Sequence, residues 1–305
     1  MKYKAVLAIL VALFFFLEPL QTAKAYSEPQ NIELEEKIKA LEDEIQHLEL
    51  LVSALLSLQK QVSSESYFVI DISDDSVIAE KKSGIAYPIA SITKLMSAVA
   101  VFENISMDET ITLTPKMLKP HGYSPSIFLN LTISANDLLK ASLIQSVNDA
   151  AESLSYFLGK EKFIGIMNKK AKDIGMKNTR FYDATGLNPK NKSTASDIAK
   201  LLAYIHKNHP EILKITKQDD FFLPDETGKM LKFKNVNNFY QDPEFIGAKT
   251  GYLYEAGETL ASLVNLDGKP IAVVLLRSKD RKTDELKIID WIKNNKPTYI
   301  KPVKT

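Results

Sequence analysis

The hydrophobic period of this 305-residue chain changes once, near Ser66, and that change limits the folds open to it. Upstream, apolar residues fall at Leu34, Ile38, Leu41, Ile45, Leu48, Val52 and Leu55, alternating steps of four and three over three heptads, which is a coiled-coil seam. One row is β-branched (Ile38, Ile45, Val52) and the other is Leu, the choice that favours a parallel two-stranded coil. Flanking charges do not decide the matter: Lys37 attracts Glu42 of a partner helix, whereas Glu44 faces Glu49. Leu50, Leu51, Leu56 and Leu58 widen the apolar stripe, which suits a helix folded back on its own domain. Self-association through 34–55 and packing on the following domain both stay open.

Downstream the pattern is one of short strands at both ends and helices between. Tyr67–Ile72 and Val77–Glu80 flank the polar turn Ser73-Asp-Asp-Ser76 and read as a hairpin. A helix follows from Ser91 to Phe102, with Leu95, Met96, Val99 and Phe102 on one face. Ser134 and Asp137 form a variant capping box for the next helix, and helical pattern continues to His209-Pro210. Strand-like segments return at 221–223, 230–233, 259–265 and 270–276, the last two flanking the hairpin dipeptide Asp267-Gly268. Thr283, with Asp284 and Glu285, is expected to cap a final helix through Trp291, leaving a polar tail at 295–305. Strands, then helices, then strands predict one α+β domain over 66–294, its sheet assembled from both ends of the chain.

The N-terminus adds an export expectation. Lys2 and Lys4 precede the 13-residue apolar run Ala5–Leu17, and Ala23-Lys-Ala25 supplies a small-residue cleavage site, the pattern of a secretory signal over 1–25. The competing reading is an uncleaved anchor, although the run is shorter than the ~20 residues of a spanning helix. The stalk then occupies 26–62. Lys+Arg 39 against Asp+Glu 38 leaves +1, and loss of Lys2, Lys4, Lys24 and Glu18 would keep the mature chain near neutral, without the basic excess usual in nucleic-acid binders. The chain has no cysteine, so covalent catalysis must run on Ser, Thr, Lys or a carboxylate.

Ser91-Ile-Thr-Lys94 puts a hydroxyl and an amine three residues apart on one helix face, close enough for a neutral amine to take the serine proton. Neutrality requires burial or a neighbouring cation. A helix start adds amides that can stabilise an oxyanion. By itself the motif is weak, because Ser57-Leu-Gln-Lys60 repeats it where no pocket is expected. Ser146-Val-Asn148 is duplicated by Ser134-Ala-Asn136, while Lys249-Thr-Gly251 occurs once, in a segment where Gly247 and Gly251 would let backbone approach a ligand.

Taken together and in this order, Ser-x-x-Lys, Ser-x-Asn and Lys-Thr-Gly resemble the penicillin-recognising serine hydrolases, and within them the D-alanyl-D-alanine carboxypeptidases of the low-molecular-mass penicillin-binding type, serine peptidase family S11. The resemblance extends over 66–294 and includes Pro88-Ile-Ala-Ser-Ile-Thr-Lys94, Ser146-Val-Asn-Asp-Ala150, Gly175-Met-Lys-Asn-Thr179, Ala184-Thr-Gly-Leu187, Ser193-Thr-Ala-Ser-Asp197 and Gly247-Ala-Lys-Thr-Gly-Tyr252. Val147 stands where members more often carry Gly. The resemblance implies a β-lactamase/transpeptidase-like domain, an antiparallel sheet flanked by helices with a helical subdomain. It implies Ser91 as nucleophile, Lys94 as general base, Ser146 as a proton relay and Asn148 holding the substrate amide or Lys94. Lys249 would lower the pKa of Lys94, Thr250 would bind a terminal carboxylate, and Gly251 belongs to the same substrate strand. The backbone N–H groups of Ser91 and Tyr252 would form the oxyanion hole, and Arg281, with Arg277 in reserve, would help bind the carboxylate. The implied substrate is a peptidoglycan stem peptide ending in D-Ala-D-Ala, with β-lactams as covalent inhibitors and no metal or organic cofactor.

Two other readings compete. A class A β-lactamase uses a Glu-x-x-Leu-Asn element that this chain lacks. An inactive or slow penicillin-binding envelope adaptor, acting through its coiled coil, would have no reason to keep Ser91, Lys94, Ser146, Asn148, Lys249 and Thr250. His206 and His209 lack the Glu of a zincin, and no Gly-x-Ser-x-Gly elbow is present.

Overall fold

The structure is a computed structural model that describes residues 28–118, 124–237 and 241–295. The expected signal at 1–25 and the tail from 296 lie outside the described residues. Helix α1 (Glu28–Gln61) carries the heptad pattern. The chain divides into two units, one ending at Ala54 and the other beginning at Leu55. In the first, Leu34, Leu41 and Leu48 are exposed. The last turns of α1 belong to the second unit, where Leu58 and Val62 are buried.

Asp267 and Gly268 both take positive φ (52° and 81°), as a two-residue hairpin turn of the primed type demands. They join β10 (Gly257–Leu266) to β11 (Lys269–Ser278), the two central strands. β11 pairs on its other side with β1 (Ser66–Asp71), which pairs with β2 (Ser76–Lys81), and β10 pairs with β9 (Phe245–Leu253). The resulting antiparallel order β2-β1-β11-β10-β9 joins the two chain ends as expected, with β9 on an edge. Ala261, Leu263, Ala272, Val274 and Leu276 face the main core, and the alternate positions face the other way, where Ser262 bonds Glu285 of α8 (Arg281–Asn295). Both sheet faces are therefore covered, which is why β10 and β11 read as continuous apolar runs.

Helix α2 (Thr93–Asn104) is buried on every side from Thr93 to Val101, not on one face. It packs against α3 (Ala135–Ile144), α4 (Asn148–Tyr156), α5 (Lys160–Asp173), α6 (Ala195–Asn208) and α7 (Pro210–Lys217), so no face is left for water. The Ser134 cap is present, its hydroxyl accepting from the Asp137 N–H at 3.1 Å. The final helix is capped differently from expectation: Asp280, not Thr283, accepts the Thr283 N–H (3.0 Å) and hydroxyl (2.7 Å), which moves the start to Arg281. Three short pairs lie outside the main sheet: β3 (Tyr87–Pro88) with β6 (Lys192–Ser193), β4 (Thr110–Thr112) with β5 (Thr132–Ser134), and the segments near 221 and 230 as a hairpin of β7 (Asp220–Pro224) with β8 (Met230–Lys234).

Candidate active site

The nucleophile candidate stands on strained backbone. Ala90 has φ 48°, and Ala90–Ile92 make one 3-10 turn that leads into α2. Three long-range bonds hold this turn: Ile89 N–H to the Asn191 carbonyl (3.1 Å), the Thr259 hydroxyl to the Ile89 carbonyl (3.2 Å), and Asn191 Nδ2 to Thr93 Oγ1 (3.2 Å). Strain of this kind persists only where the surroundings over-determine the conformation.

Lys94 is fully buried, and its Nζ lies 2.8 Å from Ser91 Oγ, 2.9 Å from Asn148 Oδ1 and 2.7 Å from the Thr185 carbonyl. Two of these three partners are obligate acceptors. A neutral amine spends its two N–H groups on them and is left with its lone pair toward Ser91 Oγ, the orientation a general base needs. Burial lowers this amine to about 7, opposed by the attraction of the Asp183 carboxylate. The lysine is thus poised at neutral pH.

Ser146 has φ 60° and sits immediately before α4, where Asn148 is the first helical residue. Val147 packs into the main core, so the departure at that position costs no contact on the cleft side. Lys249 Nζ donates to Ser146 Oγ and to the Thr250 carbonyl, both at 3.0 Å. Its pKa is held well below the ordinary lysine range by burial first, then by the charges of Lys94 and Arg281. Burial is the first cause of the lowered pKa of both lysines, and the like charges of Lys94 and Lys249 disfavour each other.

Strand β9 runs along the nucleophile turn. A Cβ at Gly251 would fall 2.8 Å from Ser91 N and 2.6 Å from Thr259 Oγ1, so glycine is required for Thr250 and Tyr252 to reach the site. Gly247 serves a different contact from the expected ligand approach: its Cβ would meet the Leu213 carbonyl at 2.8 Å, on α7. Arg281 Nη1 donates to the Gly251 carbonyl at 2.9 Å, placing its guanidinium beside β9. The reserve, Arg277, is paired with Glu65 at 3.0 Å. The chance repeats fall elsewhere: Ser57 accepts from Gln61 on an exposed stretch of α1, and Ser134 is a helix cap. His209 lies 3.1 Å from Glu103.

The resemblance implies no role for Ala184-Thr-Gly-Leu187, yet Asp183 organises this loop against the lysine. The Asp183 carboxylate accepts from the N–H groups of Thr185 (3.0 Å), Gly186 (2.7 Å) and Asn188 (2.7 Å) and from Asn191 Nδ2 (3.0 Å). It thereby holds the Thr185 carbonyl on Lys94. Gly186, at φ 88°, was the available signal: a Cβ there would lie 2.0 Å from the Ala90 carbonyl oxygen, so the loop and the nucleophile turn touch backbone to backbone.

A serine, a lysine tuned to neutral pH and a second buried lysine along an edge strand have a known counterpart. A family model described as D-alanyl-D-alanine carboxypeptidase matches residues 53–280. The chain belongs to that family. A D-alanyl-D-alanine endopeptidase of Escherichia coli (strain K12) is 36% identical over 260 residues, 80% of this chain and 82% of that protein. The D-alanyl-D-alanine carboxypeptidase DacF of Bacillus subtilis (strain 168) is 30% identical over 242 residues, covering 75% of this chain and 61% of that one. Among solved structures, penicillin-binding protein D2 of Listeria monocytogenes in its cefotaxime-bound form is 28% identical with a TM-score of 0.67, over 77% of this chain and 98% of that chain. As a family member this chain is a serine hydrolase with the α+β penicillin-binding fold.

Proposed function

We propose that this protein removes the terminal D-Ala from peptidoglycan stem peptides through an acyl-enzyme on Ser91. The observation that carries the reading is the buried Lys94 amine, 2.8 Å from Ser91 Oγ with its other two contacts on carbonyl oxygens. Lys94 takes the hydroxyl proton as Ser91 attacks the carbonyl of the penultimate D-Ala. The backbone N–H groups of Ser91 and Tyr252 hold the oxyanion, a feature worth about 3–4 kcal/mol per donor. Ser146, charged from behind by Lys249, returns a proton to the leaving amine. Thr250 and Arg281 bind the terminal carboxylate, and water then hydrolyses the ester. β-Lactams acylate the same serine, and bound structures of a relative with cefotaxime and with ampicillin support this.

A second cleavage is favoured by one observation: the 36% identical Escherichia coli relative is an endopeptidase, and this chain spans 82% of it. A cross-linked D-Ala bond also carries a carboxylate next to the scissile amide, so the same clamp serves. The export expectation and the stalk belong to the same reading: the enzyme works on the extracytoplasmic face, and the exposed row Leu34, Leu41, Leu48 supports self-association through 34–55. Among the described residues no helix is long and apolar enough to cross a membrane.

Fluorescent penicillin tests the core of the proposal. The full chain and its Ser57→Ala variant are expected to be labelled and Ser91→Ala to stay dark; an unlabelled wild type sinks the assignment. Free D-Ala released from a pentapeptide, set against monomers released from a cross-linked dimer, separates carboxypeptidase from endopeptidase action.

A further inference from the structure

The segment between α1 and β1 is fastened to the turn that carries Arg281. Both oxygens of Asp284, in the first turn of α8, are taken: Oδ1 accepts the Ser63 N–H (2.7 Å), and Oδ2 accepts the hydroxyls of Ser63 (2.8 Å), Ser64 (2.8 Å) and Ser278 (2.6 Å). Asp284 is only 1% exposed, so these four donors replace the water that a buried carboxylate would otherwise lack. The grip continues along the turn. Lys279 N–H donates to Ser63 Oγ at 3.0 Å, and Glu65 N–H donates to the Arg277 carbonyl at 3.3 Å.

Arg281 lies three residues before Asp284, on the same helical turn. It is held from the opposite direction by the substrate strand and its neighbour: its N–H donates to Glu258 Oε2 and its Nη1 to the Gly251 carbonyl, both at 2.9 Å. The first turn of α8 is therefore clamped between β9–β10 and the 63–65 segment. A long guanidinium side chain on a helix end is aimed by that end, and small errors of aim at a reacting centre are expensive in rate.

We propose that Ser63 and Ser64 form a strap that positions Arg281 for the substrate's terminal carboxylate, coupling the root of the stalk helix to substrate recognition. The proposal rests on the reading of Arg281 as a carboxylate ligand. Ser63, Ser64 and Asp284 are positioning residues: they act through Arg281 and touch no reacting atom.

The test measures kcat/KM of the full chain on diacetyl-L-lysyl-D-alanyl-D-alanine and on its C-terminal amide, following the released D-Ala or D-alaninamide. The ratio of the two reports carboxylate recognition alone. Arg281→Ala is expected to lower the ratio about tenfold or more, and Ser63→Ala/Ser64→Ala about three- to tenfold through turnover of the acid, with the amide rate unchanged. In the Arg281→Ala background the two serine substitutions should move the ratio by less than about twofold, since their effect has lost its mediator. Ser63→Ala alone keeps the Ser63 N–H bond to Asp284, should give an intermediate shift, and serves if the double variant does not fold. A parallel loss on acid and amide, an unchanged ratio, or a full additional loss in the Arg281→Ala background overturns the strap. An Arg281→Ala ratio equal to wild type removes the carboxylate reading itself, and the strap with it.

Discussion

Substituting Gly186 with alanine tests whether the Asp183 loop and the nucleophile turn act as one body. Gly186 has φ 88°, and an added Cβ would stand 2.0 Å from the Ala90 carbonyl oxygen, 2.4 Å from its carbon and 2.9 Å from Ser91 N. Ordinary contact begins at 3.4 Å, so the two segments must part by more than an ångström. Every atom struck is backbone, so no side chain can swing aside. A misplacement of about 1 Å at a reacting group costs roughly 10²-fold in rate, close to 2.7 kcal/mol of barrier. The positive φ adds about 1–2 kcal/mol of strain, or a fall in Tm of about 2–8 °C for a domain of this size. Gly175 is the internal control: it has φ 77° but nothing within 4 Å of its added Cβ, so Gly175→Ala carries the strain without the collision. Both variants should melt a few degrees below wild type, and only Gly186→Ala should slow the labelling of Ser91 by fluorescent penicillin, by about 10²-fold. Folded Gly186→Ala that acylates within about threefold of wild type, or Gly175→Ala that is slowed as much, would refute the argument.

The other predictions concern charge. Because Lys94 sits at about 7 and reacts when neutral, acylation should rise with pH through 7, with roughly a tenth of the base neutral at pH 6; an acid limb centred below 5 or above 9 in stopped-flow penicillin acylation contradicts the assignment. Asp183→Asn removes an attraction that raises Lys94, so that limb should move to lower pH while the plateau falls, because the amide cannot hold all four donors that keep the Thr185 carbonyl in place; an unmoved limb denies the charge a role. Glu285 is raised to about 7 by burial, so the folded state binds its proton more tightly than the unfolded chain and stability should fall as pH climbs from 4.5 to 7; Glu285→Gln should narrow the difference in Tm between pH 5 and pH 8, and an unchanged difference counts against it.

What was readable in the sequence was local. Ser91 and Lys94 share a helix face by spacing alone, the Asp267-Gly268 turn needs only its own φ angles, and the Ser134 cap bonds three residues on. What was not readable depends on residues far away in the chain. Asn191 reaches back 98 positions to Thr93, and Asp183 works on Lys94 through the Thr185 carbonyl, which is 91 residues from that lysine. Helical spacing along α2 identifies one apolar face but carries no information on how many neighbours enclose the others. The expectation at Lys94 rests on the like charge of Lys249, whereas burial, which spacing in the sequence does not reveal, is the first cause of the lowered pKa of both lysines.

A chain of net charge +1 can still place basic groups locally where an anionic substrate would bind. Lys94 and Lys249 are both buried, and among the described residues neither stands in an ion pair with a carboxylate. Their hydrogen bonds go to hydroxyl, amide and carbonyl oxygens, and the Asp183 carboxylate acts on Lys94 by its charge, without a direct bond to it. Arg281, 3.9 Å from Glu258, places its guanidinium beside β9, and its charge acts on Lys249. On the proposed reading a terminal carboxylate binds there, where low dielectric strengthens its attraction to Lys249 and Arg281. An anion there would favour the charged form of Lys249, the lysine bonded to Ser146. On that reading the substrate carboxylate and Ser146 share one lysine neighbour.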